Sequence, residues 1–226
     1  QVIQTRTLPR EADVQSLNLG VGYQYISTDY RFNPRKGNEL SITASAGNKT
    51  IKRNNQVMEL KDPADPAFKF SSLYDSVRLK AYQMRATIAA ARFFPVGRQS
   101  AFKTAVHVGM FQSANFFRNE LFMIGGNRLL RGFDEESQYV SQYAIGTMEY
   151  RYLLGQNSAF FVFADGGYGK HEMEQEKHHT YIGTGSGLSF ETKAGIFNIV
   201  WAVGRRDDTG FNLRQSKLHF GFVSYF

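Results

Sequence analysis

Leu17–Tyr25 reads LNLGVGYQY. Its large apolar residues, Leu17, Leu19, Val21, Tyr23 and Tyr25, take every second position, and Asn18, Gly20, Gly22 and Gln24 fill the gaps. Successive side chains of a strand point to opposite faces. This order therefore makes one apolar face and one small or polar face, whereas a 3.6-residue period would scatter the apolar residues around a helix.

The same alternation recurs along the chain. Leu40, Ile42, Ala44 and Ala46 repeat it, as do Tyr82, Met84, Ala86 and Ile88, and Phe102, Thr104, Val106, Val108 and Met110. It returns at Met148, Tyr150, Tyr152 and Leu154, at Phe160, Val162 and Ala164, and at Ile182, Thr184, Ser186, Leu188 and Phe190. Phe197, Ile199, Trp201 and Val203 carry it on, and Leu218, Phe220, Phe222 and Phe226 close the chain. The reading predicts an all-β chain of about nine strands, each roughly 9–11 residues long, the length that crosses a bilayer when tilted. A short partial strand is expected over Val2–Leu8, making about ten.

The connections sort by length. Asp29–Asn38, Pro95–Ser100, Gly155–Ser158 and Glu191–Gly195 are short, whereas Gly47–Lys80, Gln112–Ser141, Lys170–Thr180 and Arg205–Lys217 are long and polar. Short turns at one end and long loops at the other are the pattern of an antiparallel transmembrane β-barrel, with the short turns periplasmic. Lys49–Lys61 and Asp62–Phe70 belong to a loop too long for a mere connector, which suggests a partner-binding segment.

Composition agrees with such a barrel. The chain has 20 Phe, 12 Tyr and 21 Gly against 5 Pro and no Cys, so disulfide and thiol chemistry are excluded. Mean hydropathy is −0.38, a value in which a barrel wall can hide because only alternate residues meet lipid. No apolar run approaches the roughly 20 residues of a membrane helix. The formal charge is +7, but Lys and Arg are scattered rather than clustered with aromatics, which argues against nucleic acid as a partner. Gln1–Arg10 has no apolar signal region, so the chain is expected to be processed or part of a longer one.

Glu120–Ser137 reads ELFMIGGNRLLRGFDEES. Phe122, the pair Gly125 and Gly126, and the run Arg131, Gly132 and Phe133 resemble the signature loop of the BamA/TamA superfamily of outer-membrane assembly barrels. Phe163, Asp165 and Gly167 match the family's F-x-D-x-G strand motif, and Glu149 stands where the family carries an acid. Asn33–Gly37 has the Pro-x-x-Gly turn often found in it. Lys217–Phe226 (KLHFGFVSYF) resembles the terminal strand by which such barrels are recognised, with Gly221 and Phe226 in place and Ser224 where an apolar residue is usual.

The resemblance covers nearly the whole chain and implies the C-terminal half of a barrel of about 16 strands. Residues 1–226 would be the C-terminal portion of that barrel domain, with no POTRA domain among them. Only about four strands precede the signature loop, and an open sheet edge cannot sit in lipid. A longer native chain is therefore expected, over closure by a second chain or a small closed barrel. The resemblance further implies that the loop folds into the lumen, where its Arg meets the wall acids. Physics agrees: Glu149 and Asp165 share the face that avoids lipid, and a guanidinium can fork between two carboxylates. Arg131 is expected to bridge them.

The implied function is insertion of unfolded outer-membrane proteins into the outer membrane of a Gram-negative bacterium, without catalysis or cofactor. Its partners would be lipid, unfolded barrel proteins and periplasmic or lipoprotein accessory subunits. The alternatives are a two-partner-secretion-like translocation barrel and the membrane anchor of a fused hydrolase. Other constellations read as structural. His171, His178 and His179, near Glu172, Glu174 and Glu176, match no tight ligand spacing and are taken as a solvated loop, so no metal is expected. Asp207–Gly210 is a turn. Gly183–Gly187 (GTGSG) leads into no helix, so it is not a phosphate loop; its glycines are expected to relieve crowding on a strand face.

Overall fold

A computed structural model describes residues 2–174 and 177–224. Nine strands form one antiparallel sheet in chain order: β1 (Val14–Thr28), β2 (Gly37–Ile51), β3 (Lys80–Pro95), β4 (Ser100–Ser113), β7 (Gln142–Leu153), β8 (Ala159–Lys170), β9 (His178–Thr192), β10 (Gly195–Arg206) and β11 (Lys217–Ser224). Between β4 and β7, the short strands β5 (Phe122–Ile124) and β6 (Gln138–Val140) pair only with each other. The architecture is all-β and barrel-type. The sheet is not closed, because β1 and β11 are its edges and do not pair among the described residues. That sets aside the small closed barrel.

The ladders keep an unbroken register, so alternation in sequence becomes alternation across the wall. Tyr23, Ile42, Ile88, Val108 and Ala144 lie side by side across β1, β2, β3, β4 and β7. Tyr152, Phe160, Leu188, Ile199 and Phe220 continue the apolar face from β7 to β11. Leu19 is 85 % exposed and Phe220 70 %, which in water would be a large apolar patch and in a bilayer is a lipid-facing band.

Eight of the nine wall strands run longer than the alternation predicts: β1 has 15 residues, β3 has 16 and β7 has 12, while β11 has 8 among the described residues. Polar residues continue the ladders past the apolar band. Lys49, predicted to lie in a loop, is therefore a β2 residue with its side chain fully buried. Val2–Leu8 is not a strand either. Val2–Thr5 is a helical turn, and Arg6 after it donates to Asp62 at 2.9 Å and lies 4.6 Å over the Phe68 ring. The 52–79 connection buries Val57, Phe70 and Tyr74, and contains a second helical turn at Asn55–Met58.

The short-turn end is tied across. The 29–36 connection reaches the β7–β8 turn, where Tyr30 donates to Asn157 at 2.7 Å, and the β3–β4 turn, where Arg35 donates to the Gly97 carbonyl at 2.7 Å. On the inner side, the β4–β7 connection fills the space against the wall. Ile124, Leu130 and Val140 from it pack on Ile145 of β7 and Tyr181 of β9, and a second cluster joins Phe161, Phe163, Val200 and Ala202.

Candidate functional site

The β4–β7 loop turns back on itself at three glycines. Gly125, Gly126 and Gly132 have φ of +113°, +98° and +95°, a region that penalises any side chain. Gly126 N–H donates to the Leu130 carbonyl at 3.0 Å, and Glu136 N–H to that of Gly125 at 3.3 Å, closing the loop around its tip.

Arg131 leaves this tip and enters the wall. Its Nε donates to Asp165 Oδ2 at 2.9 Å and its Nη2 to Asp165 Oδ1 at 2.7 Å, a two-pronged bond. Nη1 donates to Glu149 Oε2 at 2.5 Å, and the backbone N–H adds a bond to Asp165 Oδ2 at 3.1 Å. Neighbours complete both acids: Thr147 donates its hydroxyl to Asp165 at 2.8 Å, and Arg151 donates to Glu149 at 2.6 Å. Phe163 lies beneath, with the guanidinium carbon 3.4 Å from its ring centroid. Arg131, Glu149 and Asp165 are 8 %, 4 % and 2 % exposed. Arg131 and Arg151 thus meet two carboxylates in a largely buried cluster. Such a cluster adds little net stability but specifies one arrangement, since a buried charge without its partner is costly.

The wall is shaped for the loop. A Cβ on Gly183 of β9 would overlap the Arg131 carbonyl oxygen, and one on Gly132 would stand 2.6 Å from the Gly204 nitrogen of β10. Loop and wall meet backbone to backbone there. Phe133 packs edge-on to Tyr181 with centroids 5.3 Å apart, and Phe122 likewise on Tyr143 at 5.2 Å. Gly167 of β8 faces Ile145, Tyr181 and Leu130 in the same core. Gly221 pairs with Asn198 in a continuous β11 and faces Asn127 of the loop. Phe226 lies outside the described residues.

A second anchor was not foreseen. Lys49 Nζ donates to both oxygens of Glu120, at 2.9 and 2.7 Å, and to the Asn115 carbonyl at 2.8 Å. Arg85 of β3 donates to the Glu120 carbonyl and lies over Phe111 and Phe122, 4.6 and 4.4 Å from their centroids. The signal available in sequence was two cations on the non-lipid register of neighbouring strands, with one acid where the loop begins.

The site is therefore a loop locked into a barrel-type wall at two places, one through the Arg-Gly-Phe run and the strand acids. No curated protein matches the chain. The family described as Omp85 superfamily domain matches residues 7–224, nearly the whole length, and by that match the chain belongs to the Omp85 superfamily, which includes the BamA/TamA-type barrels.

Proposed function

We propose that this protein is an assembly factor of BamA/TamA type that helps unfolded barrel proteins enter the outer membrane of a Gram-negative bacterium. The Omp85 superfamily is, in general, one of outer-membrane protein insertion and secretion. The observation that carries the finer reading is the loop held in the lumen by Arg131 on Asp165 and Glu149. A filled lumen is a poor diffusion pore. It would shift the work to the wall, where the last strand, β11, serves as one side of a seam that pairs with an incoming strand. Strand addition of this kind needs no catalytic group, cofactor or nucleotide. Lipid, unfolded barrel proteins and periplasmic or lipoprotein subunits are the proposed partners.

The test is depletion of the protein followed by quantitative proteomics of the outer membrane. Loss of many unrelated barrel proteins is the expected result. Loss of one exported protein with the other barrels unchanged would mean a dedicated transporter and would overturn the assembly reading.

A further inference from the structure

The loop lock leaves an unused cavity beside it. A space of about 300 Å³ lies between the loop tip, at Asn127 and Arg128, and the short-turn end of the wall, where Phe32, Asn33 and Val223 line it. Four cations border this space, Lys103, Arg128, Arg131 and Arg151, against one acid, Glu149.

Two of those cations are spent. Arg131 is held by Asp165 and by Glu149 Oε2, and Arg151 Nε by Glu149 Oε1. The other two are not. Lys103 of β4 is the cross-strand neighbour of Glu149, yet it makes no ion pair with it, because each carboxylate oxygen already carries a guanidinium. Its ammonium lies 5.9 Å from the centroid of the Phe93 ring and has no hydrogen-bond acceptor among the described residues. Glu39 of β2 attracts it without reaching ion-pair distance. Arg128 is exposed and makes no hydrogen bond or ion pair among the described residues.

The rest of the lining also has donors to spare. The side-chain amides of Asn127 and Asn198 and the Nη nitrogens of Arg151 donate to nothing among the described residues. Four cations stand against Glu149 and, behind Arg131, Asp165, so two positive charges remain, with Glu39 offsetting part of one from a distance. A same-sign excess set against a low-dielectric wall focuses its field on the space that it borders. The cavity therefore calls for an anion.

Its position and lining narrow the choice. The bilayer lies on the far side of the sheet, so the wall separates this cavity from lipid headgroups. Phe32, Phe161 and Val223 add apolar surface beside the cations, which a bare inorganic ion would not use. The volume is at the lower end of ligand sites, which span about 300–1,000 Å³. We propose that the cavity binds an acidic peptide segment entering from the short-turn end, its carboxylates taken by Arg128, by Lys103 and by the Nη nitrogens of Arg151. Arg128, with its whole fork free, can hold a carboxylate through two parallel bonds. Because Arg128 belongs to the loop tip and Lys103 and Arg151 to β4 and β7, an occupant would tie loop to wall at a third place. Any chain presenting such a segment would fit, so the site stands whether or not the protein assembles other barrels.

The test titrates the full chain, in detergent micelles, into dye-labelled hexa-aspartate and reads fluorescence anisotropy. Saturable binding at micromolar affinity is expected, weakening as salt rises, and hexa-asparagine with the same dye should not bind. Arg128→Gln should weaken binding roughly tenfold, and Arg128→Gln with Lys103→Gln roughly a hundredfold. The urea midpoint of Arg128→Gln should stay at the parent's, which separates lost binding from lost structure. Lys193→Gln removes an exposed charge from the β9–β10 turn at the same end, outside the cavity, and should bind as the parent does. Bound peptide should also slow hydrogen exchange at Gly126 and Glu136, which charge attraction to the outer surface would not do. Should the Lys103 variant fold poorly, Arg128→Gln alone decides the matter. No saturable binding, or equal weakening by Lys193→Gln and Arg128→Gln, would overturn the proposal. So would displacement of the labelled peptide by inorganic phosphate, or by phosphatidylglycerol in mixed micelles, as readily as by unlabelled hexa-aspartate: the first would mean a free-anion site and the second a lipid site.

Discussion

Replacing Arg131 with alanine strands the acids that hold the loop. Asp165, 2 % exposed, would keep only the Thr147 hydroxyl at 2.8 Å and the backbone N–H of residue 131, while Glu149 would keep Arg151 at 2.6 Å. Removing one partner of a buried ion pair costs about 3–5 kcal/mol, because the charge left behind is uncompensated. Arg151 still neutralises Glu149, so the lower end, about 3 kcal/mol, is expected. That cost falls on loop docking, since the wall ladders do not involve Arg131. At about 1.4 kcal/mol per tenfold change, the undocked fraction rises roughly a hundredfold. Hydrogen exchange reads this directly. Amides of the β5–β6 hairpin, and those of Gly126 and Glu136, should exchange about a hundredfold faster, while those of β7–β10 stay protected. Folded yield should fall in parallel. Arg128→Ala is the control: that side chain is exposed and makes no ion pair among the described residues, so its effect should stay within about 0.5 kcal/mol. Arg131→Ala combined with Asp165→Asn should recover much of the loss, because the amide removes the stranded charge. Equal exchange in the Arg131 and Arg128 variants, or no recovery in the double variant, would refute the reasoning.

Gly183→Ala should also undock the loop, because its methyl would overlap the Arg131 carbonyl; Gly146→Ala, with nothing within 4 Å of its Cβ, should be neutral or stabilising by up to about 1 kcal/mol. The midpoint of urea unfolding, followed by the fluorescence of the one tryptophan, Trp201, separates them. Lys49→Met should expose residues 113–120 to limited proteolysis, since it leaves the Glu120 carboxylate without its donor, and Lys49→Met with Glu120→Gln should restore resistance. Acid should loosen the N-terminal segment. The backbone N–H of Ala64 and then Arg6 hold the Asp62 carboxyl below its ordinary value. A folded-state value below the unfolded one means that the stabilisation is present above the ordinary carboxylate range and lost as pH falls below about 4. Exchange protection of residues 2–8 should fade over that interval, and by less in Arg6→Ala.

The nine wall strands were legible because unbroken registers let period-2 patterning survive from end to end. Legibility stopped where both faces turn polar. At Lys49 the outer neighbours are already above the apolar band and the inner position faces a charged loop, so hydropathy no longer separates a paired strand from a loop. Gly183, Gly185 and Gly187 were legible as glycines on one face. What they make room for was not: the loop backbone at Gly183 and the Phe163 and Phe161 rings at the others. Arg131 could be matched to Glu149 and Asp165 because the motif and the strand register pointed to one inner face. Glu120 could not be matched to Lys49, 71 residues away, because that pairing exists only once the sheet has brought β2 beside the start of the loop.

The two anchors together specify more than either alone. On β2 and β3 the wall is cationic, with Lys49 and Arg85, and the loop supplies an acid, Glu120. On β7 and β8 the wall offers two acids, Glu149 and Asp165, of which Arg151 of β7 holds only Glu149, and the loop supplies the second cation, Arg131. A loop that docked in reverse would place Glu120 against two buried carboxylates and Arg131 against Lys49 and Arg85. Like charges brought together out of water cost several kcal/mol, more than any rearranged packing of Phe122 or Phe133 could return. The loop therefore has one way into the lumen. An apolar plug of the same volume would fill the space as well but would leave the choice of register open.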